Sequence, residues 1–185
     1  MKLSKLLERM EYECVQGSID IPISHLLYDS RNACPDGVFV CISGAVMDGH
    51  KFIPDVVLKG VTAVIVEKDV QAPENVTVIR VQNTRVALAY MSAAYFGYPA
   101  EELKTIGITG TKGKTTTTYM VRSILENSGF KTGLIGTIET IIGNKVIKAN
   151  NTTPESYLVQ QYPAAVGSLT VHVNTLFIGH MMHTE

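Results

Sequence analysis

The stretch "TIGITGTKGKTTTTYMV", residues 105–121, restricts the fold more than any other part of the chain. An apolar run breaks up at Gly107, Gly110 and Gly113, passes through Lys114 and four threonines, and turns apolar again. This predicts a strand over "LKTIGIT", a tight loop, and a helix from about residue 114 to 128, stopped by Gly129. A strand that feeds a helix through a short glycine loop belongs to an α/β sheet.

The rest of the chain alternates in the same way. Leu3, Leu6, Leu7 and Met10 recur at helical spacing. "GVFVCI" reads as a buried strand after the turn signal Cys34-Pro35-Asp36-Gly37, and "HKFIPDVVLKG" as a short helix ended by Gly60. "VTAVIVEK" and "NVTVIRV" are β-branched strands, and Asn83 caps a helix that ends before Gly97. The breakers Gly97 and Pro99 in "YFGYPAEELK" mark a domain boundary. Beyond the glycine loop, "KTGLIG" is a strand, and Gly143-Asn144 between two apolar runs signals a hairpin. Residues 156–184 contain no Asp, Glu, Lys or Arg, and read as either a strand or a disordered end.

With 185 residues, 18% of them charged and a net charge of −1, the chain can form one large domain or two small ones. No basic excess points to nucleic acid. "MKLSKLLERMEYE" carries charge throughout and is no signal peptide, and no apolar run reaches the ~20 residues that cross a bilayer. Cys14, Cys34 and Cys41 are odd in number and lack metal-ligand spacing, as expected of reduced thiols. The expectation is a soluble, cytoplasmic protein with no legible protein partner.

The glycine loop has a physical use. The first helical turn leaves backbone N–H groups without intrahelical partners, and the helix dipole favours negative charge there. Glycine lets the backbone close around a phosphate chain. Gly110, Thr111, Lys112, Gly113, Lys114, Thr115 and Thr116 are therefore the candidate ATP loop. Lys114 reaches toward the β- and γ-phosphates as the candidate catalytic group, and the Thr115 hydroxyl is a candidate Mg²⁺ ligand. The spacing departs from G-x4-G-K-[ST], because Ile108 stands where the first glycine belongs. A plain glycine-rich turn with a surface lysine is the competing reading, and the flanking strand and helix favour the nucleotide.

Elsewhere the residues leave alternatives open. Ser30 and Arg31 after a strand suit a diphosphate or a capped turn, and His50 suits a packed helix start or a ligand contact. Thr152 and Thr153 before Pro154 suit a turn as well as a site. His172, His180 and His183 have no acidic or cysteine partner nearby that would make a metal site. A GTPase would offer a base-reading Asn-Lys-x-Asp, whereas Asn144-Lys145 is followed by Val146 and Ile147.

"GITGTKGKTTTT" resembles the ATP loop of the Mur ligase family, which joins amino acids to cell-wall precursors through acyl phosphates. "YDSRNACPDGVFVCISGAVMDGHKFIPDVVLKGVTAVIVE" is similar to the family's N-terminal domain, and "NTTPES" resembles a third motif. The match runs from about residue 20 to 162. It implies a small uridine-nucleotide-binding α/β domain (1–98), then the start of a P-loop-type parallel-sheet ATPase domain (99–162) and a divergent tail (163–185). It also implies that Tyr28, Ser30, Ala45, Val46 and Met47 line the UDP end of the substrate. Asn151, Thr152 and Thr153 would meet its muramoyl-peptide portion near the γ-phosphate. The implied activity is ATP- and Mg²⁺-dependent addition of a diamino acid, meso-diaminopimelate or lysine, to UDP-MurNAc-L-Ala-D-Glu (a UDP-MurNAc-dipeptide) in peptidoglycan synthesis. A binding module that holds the same nucleotide without chemistry is the alternative.

The chain departs from this pattern after "NTTPES". The family's Mg²⁺-binding carboxylate is expected in a strand that the uncharged tail replaces, and its carbamate-bearing lysine and arginine motif have no counterpart. The expectation is a first domain that folds, a second whose sheet begins and stops, and a tail from about Pro163 that is frame-shifted or truncated, leaving an inactive chain.

Overall fold

Runs of β-branched and apolar residues form two separate sheets in the computed structural model, which describes residues 1–44, 47–101, 103–148, 154–164 and 171–174. The chain divides into the units Met1–Tyr95 and Phe96–Glu185.

The first unit has five strands: β1 (Glu13–Gln16), β2 (His25–Leu27), β3 (Gly37–Val40), β4 (Ala63–Val66) and β5 (Thr77–Arg80). They lie in the order β1-β5-β4-β3-β2, with β2 to β5 parallel and β1 antiparallel at one edge. β3 and β4 are buried at every position, as expected of parallel strands covered on both faces. Side chains alternate along a strand, so Phe39, Val64, Val66 and Val78 join one cluster with Ile53 and Val56 of helix α2 (Ile53–Leu58). Helix α1 (Leu3–Leu6) packs against helix α3 (Thr84–Tyr95), which also contacts β2 and β3.

Local chemistry sets the boundaries. Asn83 Oδ1 accepts the N–H groups of Arg85 (2.9 Å) and Val86 (3.1 Å) and so starts α3. Gly60, at φ +88°, takes the left-handed conformation just beyond α2. Neither β1 nor β2 is legible in the sequence. β1 is an edge strand with three exposed residues and one half-buried, and β2 has only three residues, too few to show a period.

The second unit contains β6 (Lys104–Gly107), β7 (Thr132–Ile135), β8 (Glu139–Ile142), β9 (Lys145–Lys148) and β10 (Val171–Asn174), in the order β6-β10-β7-β8-β9. Helix α4 (Lys114–Asn127) follows β6, and helix α5 (Ser156–Ala164) packs on the turn Pro99–Glu101. Phe96 and Tyr157 meet edge to face at 5.1 Å. The β8–β9 hairpin turns at Gly143 (φ +56°) and Asn144, as expected.

Helix α5 runs through Pro163 in its last turn. Of the two readings of the uncharged segment, the strand holds for Val171–Asn174, which lies between β6 and β7 and pairs parallel with both, with Val171 opposite Lys104 and Thr132. The uncharged segment thus supplies an inner strand of this sheet, which suits a strand flanked on both sides. The strand expected over "LKTIGIT" is present as β6, an edge strand exposed at all four positions. Among the described residues, no helix is long and apolar enough to cross a membrane.

Candidate nucleotide sites at the strand ends

The glycine loop leaves the carboxyl end of β6 and enters α4 through Gly113, at φ +78° and ψ −6°. That left-handed conformation favours glycine, and it turns the chain so that α4 begins at once with Lys114. The first intrahelical bond runs from Thr117 N–H to Gly113 O at 2.9 Å, so the amides of Lys114, Thr115 and Thr116 head the helix ahead of it. Among the described residues, no side chain caps this end. Thr111, Lys112, Gly113 and Thr116 are exposed, while Lys114 and Thr115 are half-buried. Lys114 Nζ folds back to donate to Gly110 O at 2.6 Å, placing the ammonium group over the loop. The arrangement offers three backbone donors, one cation and the Thr115 hydroxyl to an anion.

The turn after β7 lies beside this helix start. Gly136 N–H donates to Glu139 O at 3.0 Å, and the Glu139 carboxylate accepts the Tyr119 hydroxyl at 2.5 Å. That bond, with a smaller contribution from burial, raises the Tyr119 pKa. Thr115, Thr118, Tyr119 and Glu139 border a cavity of about 10 Å³, room for about one water. Sequence reasoning missed Tyr119 and Glu139. They are 20 residues apart and meet only because α4 packs on β7.

In the first unit, Tyr28 and Ser30 follow the carboxyl end of β2, both half-buried. Asp29 caps the short turn Ser30–Asn32 by accepting Arg31 N–H at 3.0 Å. The same carboxylate takes the Arg31 guanidinium at 2.9 and 2.5 Å, and these bonds hold Asp29 below the usual carboxylate range. The capped turn is therefore present, with the exposed Arg31 folded onto it. Lys59 Nζ donates to Ser30 O at 2.8 Å, and Ser30, Arg31, Phe52 and Lys59 surround an open depression of about 380 Å³.

Met47, 58% exposed, lies in a small hairpin beyond β3, closed by Gly44 N–H to Met47 O and Gly49 N–H to Ile42 O, both 2.9 Å. Ala45 and Val46, and likewise Asn151, Thr152 and Thr153, lie outside the described residues. His50 takes the packed role among its two alternatives. Its ring is buried, Nε2 accepts Glu67 N–H at 3.1 Å, and Nδ1 therefore carries the proton and donates to Asp48 Oδ1 at 2.6 Å. Among the described residues, no group of three or more His, Cys, Asp or Glu forms a metal cluster.

The first unit matches the model of the Mur ligase family catalytic domain over residues 22–96, and the second matches the Mur ligase middle domain over 108–172. The chain belongs to the Mur ligase family. It is 49% identical over 157 residues to a UDP-N-acetylmuramoyl-L-alanyl-D-glutamate–2,6-diaminopimelate ligase of Clostridium perfringens, a match covering 85% of this chain and 32% of that protein. The chain thus spans about a third of the length of the curated Mur ligases it matches. A solved UDP-N-acetylmuramoylalanyl-D-glutamyl-2,6-diaminopimelate–D-alanyl-D-alanyl ligase from Acinetobacter baumannii is 26% identical at a TM-score of 0.60, over 95% of this chain and 36% of that one. A solved 2,6-diaminopimelate ligase, 17% identical, shares the fold at a TM-score of 0.73 over 95% of this chain and 36% of that chain.

In each unit of this Mur ligase chain polar groups stand where its own parallel strands end: Tyr28 and Ser30 after β2, the hairpin after β3 and Glu67 after β4 in the first unit, and the glycine loop after β6 in the second. Open α/β sheets bind ligands in that position.

Proposed function

We propose that this chain carries the substrate- and nucleotide-binding parts of an ATP-dependent amide ligase that adds a diamino acid to UDP-MurNAc-L-Ala-D-Glu in cytoplasmic peptidoglycan precursor synthesis. Residues 1–98 form the UDP-substrate domain, with Tyr28, Ser30, Ala45, Val46 and Met47 at its uridine end. Residues 99–162 belong to the ATP-binding domain, and Asn151, Thr152 and Thr153 are the residues that would meet the muramoyl peptide. One observation carries the reading: a left-handed Gly113 starts a helix directly with Lys114 at the carboxyl end of a parallel strand.

The reaction joins a substrate carboxylate to the γ-phosphoryl group of ATP, releasing ADP. The diamino acid's amine then attacks the acyl carbon, and phosphate leaves as the amide forms. The chain's own groups act by position and charge. The amides heading α4 hold the phosphates, and Lys114 leaves Gly110 O to neutralise charge on the β- and γ-phosphates. Thr115 is the residue that would hold Mg²⁺, which when bound screens the phosphate charge.

Calorimetry tests both domains on the 185-residue chain, with Mg·ATP and with UDP-MurNAc-L-Ala-D-Glu as separate titrants, beside an assay of phosphate release. Binding of both ligands is expected. Binding without release that depends on a diamino acid identifies a module that holds the nucleotides, and absence of ATP binding overturns the reading of the glycine loop.

A further inference from the structure

Glu139 holds the first position of β8, and its carboxylate turns toward α4, where Oε1 accepts the Tyr119 hydroxyl at 2.5 Å. The backbone behind it is fixed as well, because Glu139 O accepts Gly136 N–H at 3.0 Å. Glu139 borders the same cavity of about 10 Å³ as Thr115, Thr118 and Tyr119, so it stands beside the first turns of α4. Thr118 is buried, and its hydroxyl donates to Lys114 O at 2.8 Å. The helix head that follows the glycine loop is thus itself a wall of this cavity.

Charge sets this carboxylate apart. Among the described residues Glu139 forms no ion pair, and its Oε2 accepts no hydrogen bond. Lys148 stands opposite it across the β8–β9 ladder but is exposed and does not bond to it. Glu126, on the same helix as Tyr119, shows the contrast: Arg122 binds it at 2.9 Å and Thr132 Oγ1 at 2.7 Å. A phenol stabilises a carboxylate without cancelling its charge. A polyphosphate at the helix head therefore meets a second negative charge from the β8 side, and a divalent cation at Thr115 turns that repulsion into attraction. A purely structural tie between α4 and β8 needs no charge, since glutamine would accept the same phenol hydrogen bond.

We propose that Glu139 is a specificity-determining residue that makes the glycine loop select magnesium-charged over metal-free nucleoside triphosphate, and that Tyr119 is its positioning residue. The inference rests on the reading that residues 110–116 take ATP and that Thr115 would hold Mg²⁺. The charge acts with opposite sign on the two ligands: it opposes ATP alone and favours ATP with Mg²⁺. Its removal is thereby separable from damage to the fold, which weakens both.

The test is calorimetry on the full 185-residue chain, titrated with ATP in excess Mg²⁺ and with ATP in EDTA. Glu139→Gln removes the charge but keeps the shape and the phenol bond. Tyr119→Phe keeps the charge but frees the side chain, so it reports even where Glu139→Gln fails to fold. Glu126→Gln removes an ion-paired carboxylate from α4 and controls for net charge. In Glu139→Gln, Mg·ATP binding should weaken roughly fivefold and metal-free ATP binding should tighten roughly threefold, so the ratio of the two Kd values falls about tenfold or more. Tyr119→Phe should lower the ratio by less, and Glu126→Gln should leave it within about twofold. A Glu139→Gln ratio within about twofold of the parent overturns the proposal, whether both affinities hold or fall together. An unchanged ratio in Tyr119→Phe overturns its positioning role. No binding of either form of ATP by the unmutated chain overturns the glycine-loop reading and this inference together, whereas parental binding with an unmoved Glu139→Gln ratio overturns the inference alone.

Discussion

Replacing Lys114 by alanine removes the one cation that the glycine loop holds over itself. In the free chain the ammonium donates to Gly110 O at 2.6 Å, and an exposed contact of this kind contributes at most about 0.5–1.5 kcal/mol net. Bound to phosphate, the same group makes a charge-assisted bond worth roughly 1.5–3 kcal/mol. The exchange of partners leaves about 1–2 kcal/mol for affinity, so Lys114→Ala should weaken Mg·ATP binding about fivefold to thirtyfold. Unfolding of the unit should shift by no more than the roughly 0.5–1.5 kcal/mol of that contact, the range of a single neutral hydrogen bond. Calorimetry at low and high salt checks both statements, since a loss carried by charge shrinks as salt screens the loop. An alanine variant that binds Mg·ATP within twofold of the parent would refute the placement of the nucleotide at this helix start.

Three further outcomes follow from the geometry. Gly17 and Gly113 share a left-handed backbone (φ +81° and +78°), yet a Cβ at Gly17 would lie 2.9 Å from Thr77 Cα while one at Gly113 has nothing within 4 Å. Gly113→Ala should cost its unit about 1–2 kcal/mol and Gly17→Ala roughly 2–5 kcal/mol, each measured by urea unfolding of its own unit, and equal costs would contradict the argument. Asp48 is held below its ordinary 3.8 by Lys68 and His50; Glu67 is raised by burial but brought below 4.5 by hydrogen bonds from Thr84 and Ser43. Their stabilisation is present above the unfolded values and lost as pH falls through the folded ones, so the first unit's urea midpoint should fall below about pH 4.5, less steeply in Asp48→Asn; a midpoint that rises on acidification contradicts the sign. Burial pushes the Cys41 thiol up to about 12, so a thiol reagent at neutral pH should label exposed Cys14 first and Cys41 only on unfolding; rapid native labelling of Cys41 would count against the packing around it.

What the sequence disclosed depended on the range of the interactions. β3, β4 and β5 were legible because parallel strands buried on both faces need unbroken apolar runs, and α3 because Asn83 caps it within three residues. The glycine loop was legible because a helix start, left-handed glycines and a lysine occupy consecutive positions. β1, with its exposed residues, carries no such pattern, and its place is set by pairing Cys14 with Ile79, 65 residues away. Residues 171–174 were ambiguous for a related reason: a short apolar stretch becomes a middle strand only when two other strands leave it a gap. The hydrogen bonds around His50 were hidden by distance, since Glu67 reaches it through the pairing of β3 with β4. Local reading could offer only the two roles for His50, and the partner of Nε2 decides between them.

The division of labour within each strand explains why function collects at one end. In β3, β4 and β7 every side chain is buried, so none is available to a ligand. A polar group placed there would lose its hydration without a partner, at a cost of about 1–3 kcal/mol. Beyond the last paired residue this constraint lifts, while the sheet still fixes where the chain emerges. Asp29, Glu67 and Gly113 all stand within a few residues of such an exit, and each orders the backbone around it through a hydrogen bond or a left-handed turn. Substitutions inside the strands should therefore move stability and leave ligand affinity nearly constant, whereas those at the exits should move affinity first. Val64→Ala and Lys114→Ala are the pair that separates the two effects most cleanly.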